Sequence, residues 1–165
     1  MKQRIKKSLG THFKNDGSTS FINEELIYGL DKTRGFYLFD VVPMGAVRMS
    51  QSDRWKVNPN HTDPRKRQRK EVAEYFAFKD SLRAQSNIMG FELKTHLDCV
   101  FMIPMPDSWS GKKKDKMNGL PCKVKPDIDN IVKGICDALK ANDSDIWSLK
   151  AEKRWAFKGS IIIFA

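Results

Sequence analysis

Leu93 to Met105, L-K-T-H-L-D-C-V-F-M-I-P-M, restricts the fold more than any other stretch. Read as a strand, it puts Leu97, Cys99 and Phe101 on one side and Val100 and Met102 on the other. A strand that is apolar on both sides belongs in the middle of a sheet covered on both faces. Partners for it are at hand. Phe36 to Pro43, F-Y-L-F-D-V-V-P, is short, aromatic and β-branched, which predicts a buried strand. Ile146 to Trp155 alternates, with Trp147, Leu149 and Ala151 pointing one way and Lys150, Glu152 and Arg154 the other, and Gly159 to Ala165 is an unbroken apolar strand. The A-F-K-G between these last two predicts a hairpin. Val72, Tyr75, Phe76, Lys79 and Leu82 mark a helix with one apolar face that stops at Asn87 to Gly90. Together these elements predict a mixed α/β (α+β) domain over residues 36–165, a mixed β-sheet with helices packed on it. Residues 1–35 form an extension without clean period, open to reading as a hairpin, a short helix or an arm.

Between the two strand pairs lies Lys125 to Ile146, K-P-D-I-D-N-I-V-K-G-I-C-D-A-L-K-A-N-D-S-D-I. It gathers Asp127, Asp129, Asp137, Asp143 and Asp145 into a chain whose net charge is +10. Pro126 disfavours helical dihedrals at Lys125, so the chain reaches Asp127 extended, where residues i and i+2 share a side. Asp129 or Asp127 then caps a helix whose apolar stripe is Ile128, Ile131, Ile135, Ala138 and Leu139, interrupted mildly by Gly134. On the polar face Lys133 stands one turn beyond Asp129. Asn142 ends the helix, and Asp143, at a helix-to-strand turn, can fold back toward the other acids. Carboxylates held together are relieved by protons or a metal. An oxygen-only set without His or Cys suits Mg²⁺, with Mn²⁺ as substitute. The competing reading is that these acids only cap a helix and decorate a turn. An EF-hand is excluded, because the sixth loop position from Asp127 is Val132 and the twelfth is Ala138.

Charge of this size speaks of partners, and nucleic acid is the commonest for a basic chain. Arg48, Arg54 and Lys56 line a polar stretch around Trp55, which either stacks on an unpaired base or packs in the core. Arg65, Lys66 and Arg67 open the run R-K-R-Q-R-K, whose charges oppose the macrodipole of the helix they enter and so read as phosphate contacts or a solvated face. Lys112, Lys113 and Lys114 lie in D-S-W-S-G-K-K-K-D-K-M-N-G-L-P, a stretch without periodicity that reads as a polar loop, its lysines placed in sequence just ahead of the acids where they can hold a nucleic-acid backbone. The apolar fraction, 40%, suffices for a core. No run of about 20 apolar residues predicts a membrane span, and no apolar stretch follows the basic start to make a secretory signal. Cys99, Cys122 and Cys136 are odd in number and far apart, as reduced thiols of a cytoplasmic protein. His12, His61 and His96 show no ligand spacing.

The run K-P-D-I-D-N-I-V-K-G-I-C-D-A-L, followed by N-D-S-D-I and a strand ending in Lys153, resembles the RusA family of Holliday junction resolvases, and P-M-P-D-S-W-S-G-K-K-K before it is similar to the phage-encoded members. The likeness spans Phe36 to the C-terminus and is strongest from Pro104 to Lys153. It implies a Mg²⁺-dependent, homodimeric endodeoxyribonuclease that nicks a four-way junction symmetrically in recombination and repair. Its metal-binding aspartates fall on Asp127, Asp129 and Asp143 and its catalytic lysine on Lys133. Family members often carry two adjacent acids where this chain has Asn142 and Asp143, so Asp143 alone is carried over, with Asp145 a weaker candidate. Two other readings stand beside it: a non-catalytic basic nucleic-acid-binding protein, and a nuclease for flaps or other branched structures.

Overall fold

The computed structural model describes residues 11–13, 19–21, 35–56, 59–139 and 143–165. Strands β1 (Thr11–Phe13) and β2 (Thr19–Phe21) pair antiparallel with each other. The main sheet holds β3 (Phe36–Phe39), β4 (His96–Pro104), β5 (Ser148–Ala156) and β6 (Ser160–Phe164) in the order β3-β6-β4-β5. Between them run helices α1 (Lys70–Met89), α2 (Gly111–Met117) and α3 (Ile128–Leu139). This is the mixed α+β fold expected, and β4 is an inner strand with both faces buried, beside β6.

The expected hairpin of the last two strands does not form. β5 pairs parallel with one edge of β4, β6 pairs antiparallel with its other edge, and β4 lies between them. Four Cα steps from Ala156 to Ser160 reach up to about 13 Å, enough to cross two strand spacings of about 4.8 Å each. The cause is β4's two-faced apolarity: at an edge it would leave a backbone ladder and apolar flank unpaired, so two partners outcompete one tight turn. Leu97, Cys99, Phe101 and Ile103 face a core shared with Phe39, Ile161, Ile163 and the helices, while Val100 and Met102 join Ile162 and Ala156 on the other face.

α1 buries Val72, Tyr75, Phe78 and Leu82. Phe78 replaces the expected Phe76, which is exposed, because steps of three and four residues from Tyr75 return to the core at 78 and 82. Gly90 closes the helix at φ 61°, a left-handed conformation that favours glycine, and the Phe91 amide donates to the Ser86 carbonyl at 2.9 Å. Tyr75 donates to an Asp137 carboxylate oxygen at 2.8 Å and ties α1 to α3. The lysine-rich stretch read as a loop contains α2, started by the Ser110 hydroxyl, which accepts from the Lys113 amide, and preceded by Trp109, whose ring packs tilted against Trp155 with centroids 5.0 Å apart. An N-cap and one aromatic anchor replace the missing periodicity. Trp147, read as part of the alternating strand, precedes β5 and is exposed. All three cysteines are buried thiols, and burial pushes the Cys99 thiol up to about 12. No helix among the described residues is long and apolar enough to cross a membrane.

Candidate active site

Asp127 immediately precedes α3, and its carbonyl accepts from the Ile131 amide at 3.0 Å, so Asp127 rather than Asp129 stands at the cap. Asp129 is the second helical residue. The extended-chain route to a shared side therefore fails for this pair; what keeps both acids at one end is the first helical turn, where negative charge meets the positive end of the macrodipole. Lys133 follows Asp129 by four residues on the same face. Asp127, Asp129 and Lys133 are exposed, and among the described residues no side chain engages any of them.

This entrance is positioned by two contacts that local sequence does not announce. The chain leaving α2 runs along the outer edge of β5, with the Gly119 amide donating to the Trp155 carbonyl and the Cys122 amide to the Lys153 carbonyl, each at 2.9 Å. Lys153, half-buried in β5, then extends its ammonium to the carbonyls of Val124 at 2.5 Å and Pro126 at 2.7 Å. It thereby clamps the loop that delivers Asp127. On the other side, residues 44–46 lie against α3: the Ala46 amide donates to the Asn130 carbonyl at 2.9 Å, and a Cβ on Gly134 would stand 2.8 Å from the Met44 carbonyl oxygen. Gly134 is thus the seat of this loop. Between the two loops opens a cleft of about 530 Å³ walled by Val42, Pro43, Met44, Gly45, Lys125, Pro126 and Asn130, with Asp127 at its rim. Lys153 and Gly134 were missed as site residues. The alternation of β5 marks Lys153 as polar, but nothing in sequence says what it holds.

Asp143 opens the short 3-10 turn Asp143–Asp145; its side chain, like all of Asn142, lies outside the described residues. Asp145 lines a separate cleft with Arg83, Thr95, Ala138 and Leu139 at the far end of α3, a 12-residue helix about 18 Å long whose other end carries Asp127. That distance removes Asp145 as a ligand beside Asp127 in the same chain. Among the described residues no third acid, histidine or cysteine joins Asp127 and Asp129. The donor chemistry still fits a hard divalent cation, which takes one or two carboxylates and completes its shell with water and phosphate oxygens.

The basic residues fall on the surface. Arg48, Arg54, Arg65, Lys66, Arg67, Lys112 and Lys113 are exposed, and Lys56 and Lys114 half-buried. Several are tied locally: Arg67 donates to the His61 carbonyl at 2.8 Å, Lys113 lies 3.9 Å over the Trp109 ring and Lys114 pairs with Asp107 at 3.8 Å. Arg69, within the run read as phosphate contacts, instead pairs with buried Asp53 at 2.8 Å. Trp55, left between core and solvent, is 81% exposed.

The entrance of α3 thus carries two exposed carboxylates with Lys133 one turn further on, on a strongly basic α+β chain. Residues 41–164 match the family model described as endodeoxyribonuclease RusA. The chain belongs to that family of nucleases, which acts on branched DNA, and the resemblance read from Pro104 to Lys153 holds. No curated protein and no solved structure matches it.

Proposed function

We propose that the chain is a Mg²⁺-dependent crossover-junction endodeoxyribonuclease, working as a homodimer to nick a four-way junction symmetrically in recombination and repair. The observation that carries this reading is the coincidence of the family match with two carboxylates, Asp127 and Asp129, that no side chain engages among the described residues, at an entrance braced by Lys153 and Gly134. Asp127 and Asp129 would hold the ion, and Asp143, which shares the turn of Asp145 at the far end of α3, would join them as third ligand from the partner copy. When bound, Mg²⁺ supplies an activated water and charge stabilisation at the phosphate. Lys133 places positive charge beside the phosphate as its own charge grows. Arg48, Arg54, Lys56, Arg65, Lys66, Arg67 and Lys112 to Lys114 hold the arms through phosphates, which makes binding fall steeply with salt. Two nicks related by a two-fold axis require two related sites.

Cleavage of a synthetic four-way junction with Mg²⁺ or Mn²⁺ tests the reading, alongside flap and linear duplex substrates. Asp127→Asn and Asp129→Asn should each lose about 10²-fold or more in rate, the equivalent of several kcal/mol of lost charge stabilisation. They should bind DNA as tightly or more tightly, because like-charge repulsion falls. Undiminished cleavage by either variant sinks the site. Because the turn carrying Asp143 adjoins Asp145 at the far end of α3, subunit mixing is informative. If the partner copy supplies Asp143, dimers of one Asp127→Asn and one Asp143→Asn chain keep one whole site and regain single-strand nicking; if each chain supplies its own, they do not.

A further inference from the structure

Ser50 to Lys56 form a turn more elaborately built than a surface loop requires. The 3-10 segment Gln51–Trp55 surrounds the side chain of Asp53, which is only 6% exposed. Its carboxylate accepts from the Ser50 amide at 2.8 Å, from the Ser50 hydroxyl at 2.8 Å, and from Arg69 at 2.8 Å and 3.2 Å. Arg69 also donates to the Arg48 carbonyl at 2.9 Å and sits at the N-cap of α1, so the turn is bolted to a 20-residue helix rooted in the core. What this bracket presents is Trp55, 81% exposed, between Arg54 and Lys56 and near Arg48. Leaving a large aromatic in water forgoes about 1.5–3 kcal/mol of burial. Rigid support of an exposed ring has a use, because an immobilised indole loses little entropy when something stacks on it.

We infer that Trp55 is the branch-recognition residue of this protein: an indole held out on a fixed turn to stack on a nucleobase that has lost its neighbour at a strand-exchange point. The inference rests on the reading of branched DNA as substrate and adds how the branch is told from duplex. In continuous duplex every base face is covered by the next pair, and Trp55 has nothing to stack on; at a branch point a face is open. The flanking cations fit this occupant, since they meet the phosphates on either side of the stacked base. Trp147 is the internal contrast. It is 79% exposed, yet it stands two residues from Asp145 with no basic residue adjacent to it, and among the described residues no side-chain hydrogen bond or ion pair braces residues 144–149.

The test uses the full chain and metal-free binding in EDTA, so that it does not depend on cleavage. Affinity is measured for a four-way junction and for a linear duplex of the same sequence and length. Trp55→Ala should weaken junction binding about 5- to 150-fold, the equivalent of about 1–3 kcal/mol for one stacked base, and leave duplex binding within about twofold. Trp55→Phe should retain most of the preference, and Trp147→Phe all of it. Indole fluorescence should be quenched by junction in the wild type and much less in Trp55→Phe. Equal losses on junction and duplex, unaltered junction binding by Trp55→Ala, or no junction binding by the wild type each overturns the inference. A Trp55-dependent junction preference in a chain that never cleaves DNA would uphold it and defeat the nuclease proposal instead.

Discussion

Gly134→Ala isolates the contact that seats the 44–46 loop on α3. In a free helix this change is favourable by about 1 kcal/mol, because alanine has the better propensity. Here the new Cβ would stand 2.8 Å from the Met44 carbonyl oxygen and 3.3 Å from the Ala46 nitrogen. Both are backbone atoms, so relief means moving the loop or the helix rather than a side-chain tip. Overpacking of this kind costs about 1–3 kcal/mol. Moving the loop also strains or breaks the 2.9 Å bond from the Ala46 amide to the Asn130 carbonyl, worth about 0.5–1.5 kcal/mol. The steric and hydrogen-bond losses outweigh the propensity gain, and the net expectation is a destabilisation of about 1–3 kcal/mol. For a domain of this size that lowers Tm by about 2–12 °C. Thermal and urea unfolding measure it, and junction cleavage should fall further than stability explains, because the displaced loop walls the cleft at Asp127. A variant as stable as the wild type, or more so, would refute the seating of this loop on Gly134.

Lys153→Met keeps the stem and removes the ammonium that holds the Val124 and Pro126 carbonyls. Charged hydrogen bonds contribute about 1.5–3 kcal/mol when sheltered, so for this half-buried group a loss nearer 1 kcal/mol is expected. A rise in the Mg²⁺ concentration for half-maximal cleavage should accompany it, with partial rescue by Lys153→Arg; an unchanged metal titration would count against the clamp. The hydrogen bond from Arg69, followed by the Ser50 amide and hydroxyl, holds the Asp53 carboxyl well below the usual carboxylate range. A depressed value in the folded state means that its stabilisation is complete above the unfolded value near 4 and is lost as pH falls below that. The Tm gap between wild type and Asp53→Asn should therefore stay constant from about pH 5 to 8 and narrow below about pH 4; a gap already changing between pH 5 and 8 would contradict this network.

Much of the molecule was legible without coordinates because the signals were local. The two-sided apolarity of Leu97 to Met102 placed an inner strand, the stripe from Ile131 to Ala138 placed α3, and K-P-D-I-D-N with Lys133 placed the acids at its entrance. Periodicity and capping depend on neighbours within a few residues, and those are written in order along the chain. Tertiary structure decided what depends on partners far apart in sequence. β4 came between two strands that a short linker seemed to pair, Asp53 recruited Arg69 out of a run that looked free to bind phosphate, and Lys153 reached back to the loop before Asp127. Gly134 shows the division most plainly: along the helix it is a weak link in an apolar stripe, and only the backbone of residues 44–46, some ninety positions earlier, makes the absence of its side chain a requirement.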